Sequence, residues 1–397
     1  MESISLSAAE SHSLRQARKG IAAFVAAAII AGAVAGCAGG SGVPRVTNDR
    51  DLPFVMTGVA DVTEVAKLTG PGAINDTIAF GVAGTDLGSM VNIDDRTIFL
   101  FGDTFGERAD DAYGGQGGMW RSNVAAWSTD EDPSDGISFD GWSPVDGIGF
   151  AAAMLEGEHD GNDAGGEVTK IPTHGFVVDD VLYVAYMSVR RWGDAGQWDA
   201  NHAALIRSTD KGETWQEVDG VRWPGDSAFI QLAAVPVEDA DGEQIYFWSI
   251  PAGRFGEVRL MRVAAEVGAV EDQDAYTYFR GVGEDGEPLW STSMADAEVL
   301  VEGTIGELSV MRSDYLDRWV MTYSDAGNAY IREGITPWGP WGEPIELVSG
   351  RDYPGLYSPY LNPRYVDEAG RRIYFTLSLW GPYNVVWFSA ELVRAEN

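Results

Sequence analysis

The chain has 397 residues, of which 61 are acidic and 27 basic, so its formal net charge at pH 7 is −34. A negative surplus of this size excludes nucleic acid as a partner, because a protein that binds phosphate backbones needs clustered cations. It also excludes a membrane contact that relies on a basic patch. We interpret the acidity as a means of staying soluble in a salty habitat.

The first 36 residues have the organisation of a bacterial lipoprotein signal peptide. Three basic residues precede an alanine-rich, apolar run over residues 20–34, which is too short for a stable membrane span. The run ends in Val-Ala-Gly-Cys at residues 34–37, the pattern of a lipobox, in which the cysteine receives diacylglycerol. Because Cys37 is the only cysteine of the chain, we predict that it is lipidated. The alternative is an ordinary secretory signal with an incidental cysteine.

Beyond the signal peptide, the sequence divides into a tether and one large domain. Residues 37–50 begin with the lipidated cysteine and are rich in glycine and serine, which predicts a flexible tether. Residues 51–397 are predicted to form a single domain, since all-β propellers of this length commonly do. We therefore expect an exported monomer, held by its lipid on the extracytoplasmic face of the cell membrane.

The domain is predicted to be all-β. Short runs rich in Val, Ile, Tyr, Phe and Trp recur between Gly, Asp, Asn and Pro, and no long stretch has an apolar period of 3.6 residues. The runs group into five blocks, at residues 73–130, 167–219, 229–266, 304–347 and 357–394. Repeated blocks of this size predict a five-bladed β-propeller. Two acidic, glycine-rich stretches, residues 130–166 and 268–297, are predicted as long loops between blades.

One local motif supports the propeller directly. Residues 208–215 read Ser-Thr-Asp-Lys-Gly-Glu-Thr-Trp, a complete match to the Asp-box, S-x-D-x-G-x-T-W. This motif occupies a hairpin turn between outer strands of a blade. The carboxylate of Asp210 is expected to accept hydrogen bonds within the turn, Gly212 to supply a positive φ, and Trp215 to pack between sheets. Asp210 is therefore predicted to be structural.

Most of the familiar catalytic constellations are absent from the sequence. Three histidines remain after cleavage of the signal peptide, His159, His174 and His202, and their spacing matches no metal site. The sequence contains no G-x-S-x-G, no P-loop and no dinucleotide fingerprint. We therefore expect neither a metal nor a cofactor, and carboxylates remain as the chemically capable groups.

Three carboxylates are candidates for catalysis. Asp86 lies in Gly-Thr-Asp-Leu-Gly, and Asp103 in Gly-Asp-Thr-Phe-Gly directly after a predicted strand. Glu307 precedes an apolar strand. Glycine permits close approach of the backbone to a ligand, and a second carboxylate nearby raises the pKa of the first. Such a pair is what glycoside hydrolysis requires, while the alternative for each residue is a turn or capping carboxylate.

The chain also resembles a known family. The segments that carry the resemblance include GTDLGSM, TIFLFGDTFG, MWRSNVAAWSTD, IPAGRFGEVRLMRV, GELSVMRSDYLDRWVMTYS and YSPYLNP, which are in order along nearly the whole mature chain. They are similar to the DUF4185 family, whose members are identified as endo-D-arabinanases of glycoside hydrolase family 183 with a five-bladed propeller. The resemblance implies a D-arabinofuranosyl polymer as substrate, as in arabinogalactan and lipoarabinomannan. The placement of the three catalytic candidates on these motifs is our own.

Other residues in these motifs are predicted to bind substrate. Aromatic faces and planar amide or guanidinium groups suit sugar rings and hydroxyls. The predicted set is Asn123, His174, Arg190, Trp192, Arg254, Tyr357, Tyr360 and Asn362. The alternative for Trp192 and Tyr360 is packing within a blade, and for His174 a structural hydrogen bond.

Three functions compete at this stage. The first is an enzyme that cleaves internal D-arabinofuranosyl linkages of cell-wall arabinan. The second is a non-catalytic glycan-binding lipoprotein of the cell envelope, and the third is a protein-interaction scaffold. Buried, glycine-flanked carboxylates favour the enzyme, because desolvating a carboxylate is costly and a binding module gains little from it. The geometric test is whether Asp86, Asp103 and Glu307 converge at one end of the propeller axis.

Overall fold

The structure, a computed structural model, describes residues 43–46, 49–161 and 165–395. The predicted signal peptide and Cys37 lie outside the described residues. So does most of the predicted tether, of which residues 43–46, 49 and 50 are described. Within the described ranges, no helix is long and apolar enough to cross a membrane.

The described chain forms a five-bladed β-propeller, as predicted. Blade 1 pairs its strands in the order β2-β3-β6-β7, and β4 and β5 form a separate hairpin beside it. The first strand, β1, belongs to the last blade. The first seven strands are β1 (Met56–Lys67), β2 (Leu87–Ile93), β3 (Arg96–Phe101), β4 (Thr104–Glu107), β5 (Gly118–Arg121), β6 (Val124–Ser128) and β7 (Gly141–Trp142).

Blades 2 and 3 follow along the chain. Blade 2 consists of β8 (Thr169–Val178), β9 (Val181–Trp192), β10 (Trp198–Ser208) and β11 (Gln216–Pro224). Blade 3 is larger and has the strand order β12-β13-β14-β15-β16, with β17 paired to β14. Its strands are β12 (Gln231–Asp239), β13 (Gly242–Ile250), β14 (Gly256–Ala264), β15 (Thr277–Val282), β16 (Pro288–Ser291) and β17 (Val301–Ile305).

Blades 4 and 5 complete the ring. Blade 4 consists of β18 (Leu308–Ser313), β19 (Arg318–Asp325), β20 (Asn328–Gly334) and β21 (Ile345–Val348). Blade 5 takes three strands from the end of the chain, β22 (Leu356–Val366), β23 (Arg372–Leu379) and β24 (Asn384–Arg394). Its fourth strand is β1, which pairs antiparallel with β24 from Met56 opposite Arg394 to Lys67 opposite Val386. The beginning and end of the domain are thus joined in one sheet.

The second acidic stretch, predicted as a loop, is part of blade 3. Residues 268–297 contain most of a one-turn helix, α1 (Val267–Val270), two short 3-10 turns, and strands β15 and β16. The prediction was wrong because these strands are short and their apolar residues stand among acidic and glycine residues. Tyr276, Tyr278 and Phe279 are nevertheless buried. The first stretch, residues 130–166, is mostly loop but contains the two-residue strand β7.

The Asp-box is confirmed at the β10–β11 turn. Asp210 accepts hydrogen bonds from the backbone N–H of Thr214 at 2.9 Å and from the Ser208 hydroxyl at 2.7 Å. Gly212 has φ +94°, the left-handed region that favours glycine. Trp215 packs against an apolar cluster shared by blades 1 and 2. The motif therefore closes the outer edge of blade 2, and Asp210 lies away from the propeller axis.

The inner strands of the five blades surround the axis in the order β2, β8, β12, β18 and β22, and β22 contacts β2 again. Each inner strand begins opposite the end of the second strand of its blade, as Leu87 opposite Phe101 and Leu356 opposite Leu379 illustrate. Side chains at these starting points also bond across blades, as Tyr357 does to Asp86. All five inner strands therefore begin at one end of the axis, which we call the upper end.

Candidate active site

The three predicted carboxylates lie together at the upper end. Asp86 directly precedes β2, Asp103 follows β3, and Glu307 directly precedes β18. Antiparallel pairing of β2 with β3 brings the two aspartates to the same edge of blade 1. A Cβ atom on Gly102 would lie 2.4 Å from Oδ1 of Asp86, so only glycine at this position leaves room for that carboxylate. The glycine flanks noted in the sequence thus have a steric reason.

Asp86 is an incompletely paired carboxylate. The Tyr357 hydroxyl donates a hydrogen bond to its Oδ2 at 2.7 Å. Oδ1 is buried and has no hydrogen-bond partner among the described residues. Burial raises the pKa of Asp86 to about 6, although the Tyr357 hydroxyl and the charge of Arg254 favour the ionised form. Leaving a buried oxygen without a hydrogen bond costs free energy, and proteins retain such groups mainly at functional sites.

Asp103 is the more strongly perturbed of the two aspartates. Its Oδ1 accepts hydrogen bonds from the Thr169 hydroxyl at 2.6 Å and from the Trp120 indole N–H at 2.8 Å. Burial above all, together with the negative charges of Asp86 and Glu156, nevertheless raises the pKa of Asp103 to about 7. The site therefore contains two neighbouring carboxyl groups whose pKa values lie near neutral pH.

Glu307 is a buried carboxylate whose two oxygens are both engaged. The Arg254 Nε donates to Oε1 at 2.8 Å and to Oε2 at 3.0 Å, and Arg254 Nη2 lies 2.7 Å from Oε1. The Ser324 hydroxyl donates to Oε2 at 2.8 Å. A carboxylate bound in this way fixes the guanidinium of its partner. The geometry therefore favours a positioning role for Glu307 over the predicted catalytic one.

Arg254 connects Glu307 to the aspartates. Its guanidinium carbon lies 4.4 Å from the ring centroid of Tyr357, whose hydroxyl bonds to Asp86. The same carbon lies 5.6 Å from the ring centroid of Trp198. A guanidinium over an aromatic face is attracted by the electron-rich ring. Arg254 and Tyr357, both predicted to bind substrate, are thus part of one network with the carboxylates.

Two further predicted residues are buried inside the propeller. His174 lies within β8, and its Nδ1 is 2.9 Å from the carbonyl oxygen of Gly175. Burial lowers the pKa of His174 to about 4, so the ring is neutral at physiological pH. Tyr360 is buried in the central apolar cluster, and burial raises its pKa well above the ordinary value. The expected structural alternatives for both residues agree with this burial.

Two predicted substrate-binding residues are engaged in structural hydrogen bonds instead. The Asn123 amide donates to the carbonyl oxygens of Leu155 and Lys170 and accepts from two backbone N–H groups, so it has no capacity left for a sugar. Asn362 exchanges two hydrogen bonds with Asn92, joining the far halves of β22 and β2. These contacts favour a structural role for both amides over the predicted binding of substrate.

The remaining predicted residues lie on the rim of the upper end. Arg190 and Trp192 lie at the C-terminal end of β9, next to the turn that leads to β10. Nη2 of Arg190 lies 3.4 Å from Oδ2 of Asp199. Trp192 is exposed and contacts Trp198, with 5.7 Å between the ring centroids. Both side chains are therefore accessible from the end of the propeller that holds the carboxylates.

Sequence reasoning missed several groups that complete the site. Trp120 is held between Phe105 and His159, with its ring centroid 3.8 Å from that of His159. Thr169 bonds to Asp103, and the Tyr383 hydroxyl lies near Asp86 and favours its ionised form. Trp120 stands in the MWRS segment, which was a usable signal. Thr169 and Tyr383 come from blades 2 and 5, and nothing local marks them.

A metal centre does not form from the described part of the chain, where no group of three or more His, Cys, Asp or Glu side chains is arranged to hold an ion. The site consists of carboxyl, hydroxyl, guanidinium and indole groups. Such a set performs acid–base chemistry by moving protons.

Comparison with known proteins places the chain in a family. Residues 72–389 match the family described as Domain of unknown function, DUF4185. The match covers most of the chain, so the protein belongs to this family. No curated protein matches the chain.

Similar solved structures share the fold. A candidate hydrolase from Bacteroides ovatus is 14% identical over 78% of this chain and 86% of its own, with a TM-score of 0.52. A family 117 glycoside hydrolase from Zobellia galactanivorans is 8% identical over 86% and 91%, and an exo-β-1,3-galactanase from Phanerochaete chrysosporium is 9% identical over 84% and 67%. Both of these have a TM-score of 0.45. The first shows a common fold alone.

Proposed function

We propose that the protein is a glycoside hydrolase whose reaction takes place at the upper end of the propeller, between Asp86 and Asp103. One observation carries the proposal: two adjacent buried aspartates have pKa values raised to about 6 and about 7. Glycoside hydrolysis needs one carboxyl group that is protonated and one that is ionised at the same pH. Two neighbouring groups with different environments satisfy that need near neutrality.

Asp103 is assigned the role of general acid. Since its pKa is the higher of the two, it retains its proton while Asp86 is ionised. It gives that proton to the glycosidic oxygen as the bond from this oxygen to the anomeric carbon breaks. Trp120 and Thr169 both bond to Oδ1 and so orient the carboxyl group. One product leaves as a free hydroxyl.

Asp86 is assigned the role of base or nucleophile. Its unpaired Oδ1 is the atom that accepts a proton from water or attacks the anomeric carbon, while Tyr357 holds Oδ2. If Asp86 attacks, it forms a bond to the anomeric carbon; a water molecule then breaks that bond and gives its proton to the ionised Asp103, which restores the acid. If Asp86 is the base, it takes the proton of the attacking water, and proton exchange with solvent afterwards returns Asp86 to its ionised form and Asp103 to its protonated form. In both courses the hydroxyl of one water molecule ends on the anomeric carbon. The Arg254–Glu307 ion pair holds the ring of Tyr357 in place, and the Tyr357 hydroxyl in turn orients the carboxylate of Asp86.

The substrate is proposed to be D-arabinan of the cell wall, cleaved at internal D-arabinofuranosyl linkages of arabinogalactan or lipoarabinomannan. Membership of the DUF4185 family and the resemblance of the motifs around the site support this substrate. The lipobox supports a location on the extracytoplasmic face of the membrane, where such a polymer is accessible.

The test is incubation of the full chain, kept in detergent, with arabinogalactan, followed by chromatography of released oligosaccharides. We expect oligosaccharides from the wild type, and a 10²–10⁴-fold lower rate from Asp86→Asn and from Asp103→Asn, because each amide removes an acid–base group. Asp210→Asn is the matched control, since that aspartate lies in the peripheral Asp-box. Binding of the polymer without any release by the wild type would favour the glycan-binding alternative.

Loss of activity through unfolding can be separated from loss of chemistry. The folded-state pKa of Asp103 is raised, so its contribution to stability is lost as pH rises from about 4 to about 7. Asp103→Asn removes this penalty, and its melting temperature at pH 8 should equal or exceed that of the wild type. If the variant is inactive and its melting temperature at pH 8 is much lower than that of the wild type, unfolding explains the loss of activity, and the role of Asp103 in catalysis is not supported.

A further inference from the structure

A pair of exposed aromatic side chains lies at the upper end between blades 2 and 3. Trp192 and Phe255 are 44% and 56% exposed. Trp192 contacts Trp198, which in turn faces the Arg254 guanidinium. Phe255 packs closely against Gly196, so that a Cβ atom at position 196 would lie 3.2 Å from its ring. These contacts connect the pair to the carboxylate network. We call Trp192 and Phe255 the first platform.

A cavity of about 270 Å³ lies beside the first platform, lined by Phe255 and by Trp198, the ring that Trp192 contacts. Its wall combines aromatic faces with polar groups, among them Gln197, Trp198, Asp199 and Phe255. Sugar-binding sites have this composition, because the C–H face of a sugar ring packs on an aromatic ring while its hydroxyls take hydrogen bonds from polar side chains.

A second exposed aromatic pair lies between blades 1 and 5. Tyr113 and Trp380 are 68% and 42% exposed. Their loops are joined by a hydrogen bond from the Gly114 N–H to the Gly381 carbonyl at 3.1 Å. Trp380 packs on Tyr383, with 5.7 Å between ring centroids, and Tyr383 lies beside Asp86. We call Tyr113 and Trp380 the second platform.

The two platforms lie on different sides of the carboxylates. The ring order of the blades separates the boundary of blades 2 and 3 from the boundary of blades 5 and 1 by two blades on one side and three on the other. The first platform connects to Arg254 and Glu307, and the second to Tyr383 and Asp86. Scattered exposed aromatics need no explanation, but exposed aromatic side chains on two sides of a reactive site do.

We propose that the two platforms bind sugar units on either side of the bond that is cleaved, so that a glycan chain lies across the upper end. The inference rests on the proposed function for the position of the cleaved bond. It explains in physical terms why cleavage would occur within a chain: a polymer needs binding surfaces on both sides of the reacting carboxyl groups, and a closed pocket at one side would accept only chain ends.

The test measures binding separately from hydrolysis. The Asp103→Asn protein is compared with two double variants, which also carry Trp192→Ala or Tyr113→Ala. Calorimetry measures the affinity of each protein for linear D-arabino-oligosaccharides, from the disaccharide to the octasaccharide. We expect each alanine variant to weaken octasaccharide binding about tenfold, whereas disaccharide binding responds to one variant at most. Phe54→Ala is the matched control, since Phe54 is a 46% exposed aromatic on a segment bound to blade 4 near the opposite end.

The outcomes distinguish this inference from the proposed function. Unchanged octasaccharide affinity in both Trp192→Ala and Tyr113→Ala would overturn the platforms, even if the wild type hydrolyses arabinan. Weakened affinity without hydrolysis by the wild type would support the platforms as a glycan-binding surface and overturn the enzyme. Trp192→Phe, which retains an aromatic face, should restore most of the affinity, and its failure to do so would also count against the platform.

Discussion

At the scale of single residues, the environments of Asp86 and Asp103 separate their roles. Both are buried, but Asp86 accepts a hydrogen bond from Tyr357 at Oδ2 and has the Tyr383 hydroxyl nearby, while Asp103 accepts two hydrogen bonds at Oδ1. The negative charge of Asp86 is one of the causes that raise the pKa of Asp103. The higher pKa belongs to the residue assigned as acid, which is the order that acid–base catalysis at neutral pH requires.

The dependence of activity on pH follows from this order. Ionisation of Asp86 makes kcat/KM rise through about pH 6, and loss of the Asp103 proton makes it fall through about pH 7. The Trp120 indole favours ionised Asp103, so Trp120→Phe should raise the pKa of Asp103 and move the alkaline limb to higher pH. The measurement is kcat/KM on arabinan against pH. A shift of the alkaline limb to lower pH would contradict the assignment of Asp103.

The sequence identified the carboxylates but not most of their partners. Asp86 and Asp103 stand out because glycines surround them, and a glycine beside a carboxylate signals close packing. Tyr383 and Thr169 reach the site from other blades, so their role depends on the ring closing as it does. Asn123 and Asn362 show the reverse, since residues in family-like segments proved to hold the fold.

At the scale of elements, burial determined which strands were predictable. Second strands such as β3 and β23 are buried on both faces and stand out as apolar runs. The outer strand β1 is mostly exposed, so its residues lack a marked apolar pattern, and no predicted block included it. Strands β15 and β16 were missed for the related reason that they are short and partly exposed.

The Asp-box offers a test at this scale. Asp210→Ala removes the acceptor for the Thr214 N–H and for the Ser208 and Thr214 hydroxyls. We expect the free energy of unfolding to fall by about 1 kcal/mol, because the turn loses hydrogen bonds near the surface. Activity per folded molecule should remain unchanged, since the turn is at the outer edge of blade 2. A normal melting curve combined with lost activity would contradict this position for the motif.

At the scale of the whole molecule, the predicted lipid anchor gives a test of where the protein is located. Cys37→Ser removes the thiol that receives diacylglycerol, so we expect the variant to be released from the membrane fraction or left unprocessed. The measurement is fractionation of cells together with labelling by a radioactive fatty acid. Wild-type fractionation and labelling of the variant would show that Cys37 is not the lipidation site.

The pairing of β1 with β24 has a consequence for how the domain folds. Residues near position 60 must meet residues near position 390, and bringing the ends of such a long chain together costs about 5 kcal/mol of entropy. Contacts so distant in sequence slow folding, and this one cannot form before the last strand has been synthesised. Once formed, the β1–β24 ladder joins the beginning of the domain to its last blade and closes the ring, so no blade can unfold alone. We therefore expect slow folding and a single cooperative unfolding transition, which would suit a protein exposed to proteases outside the cell.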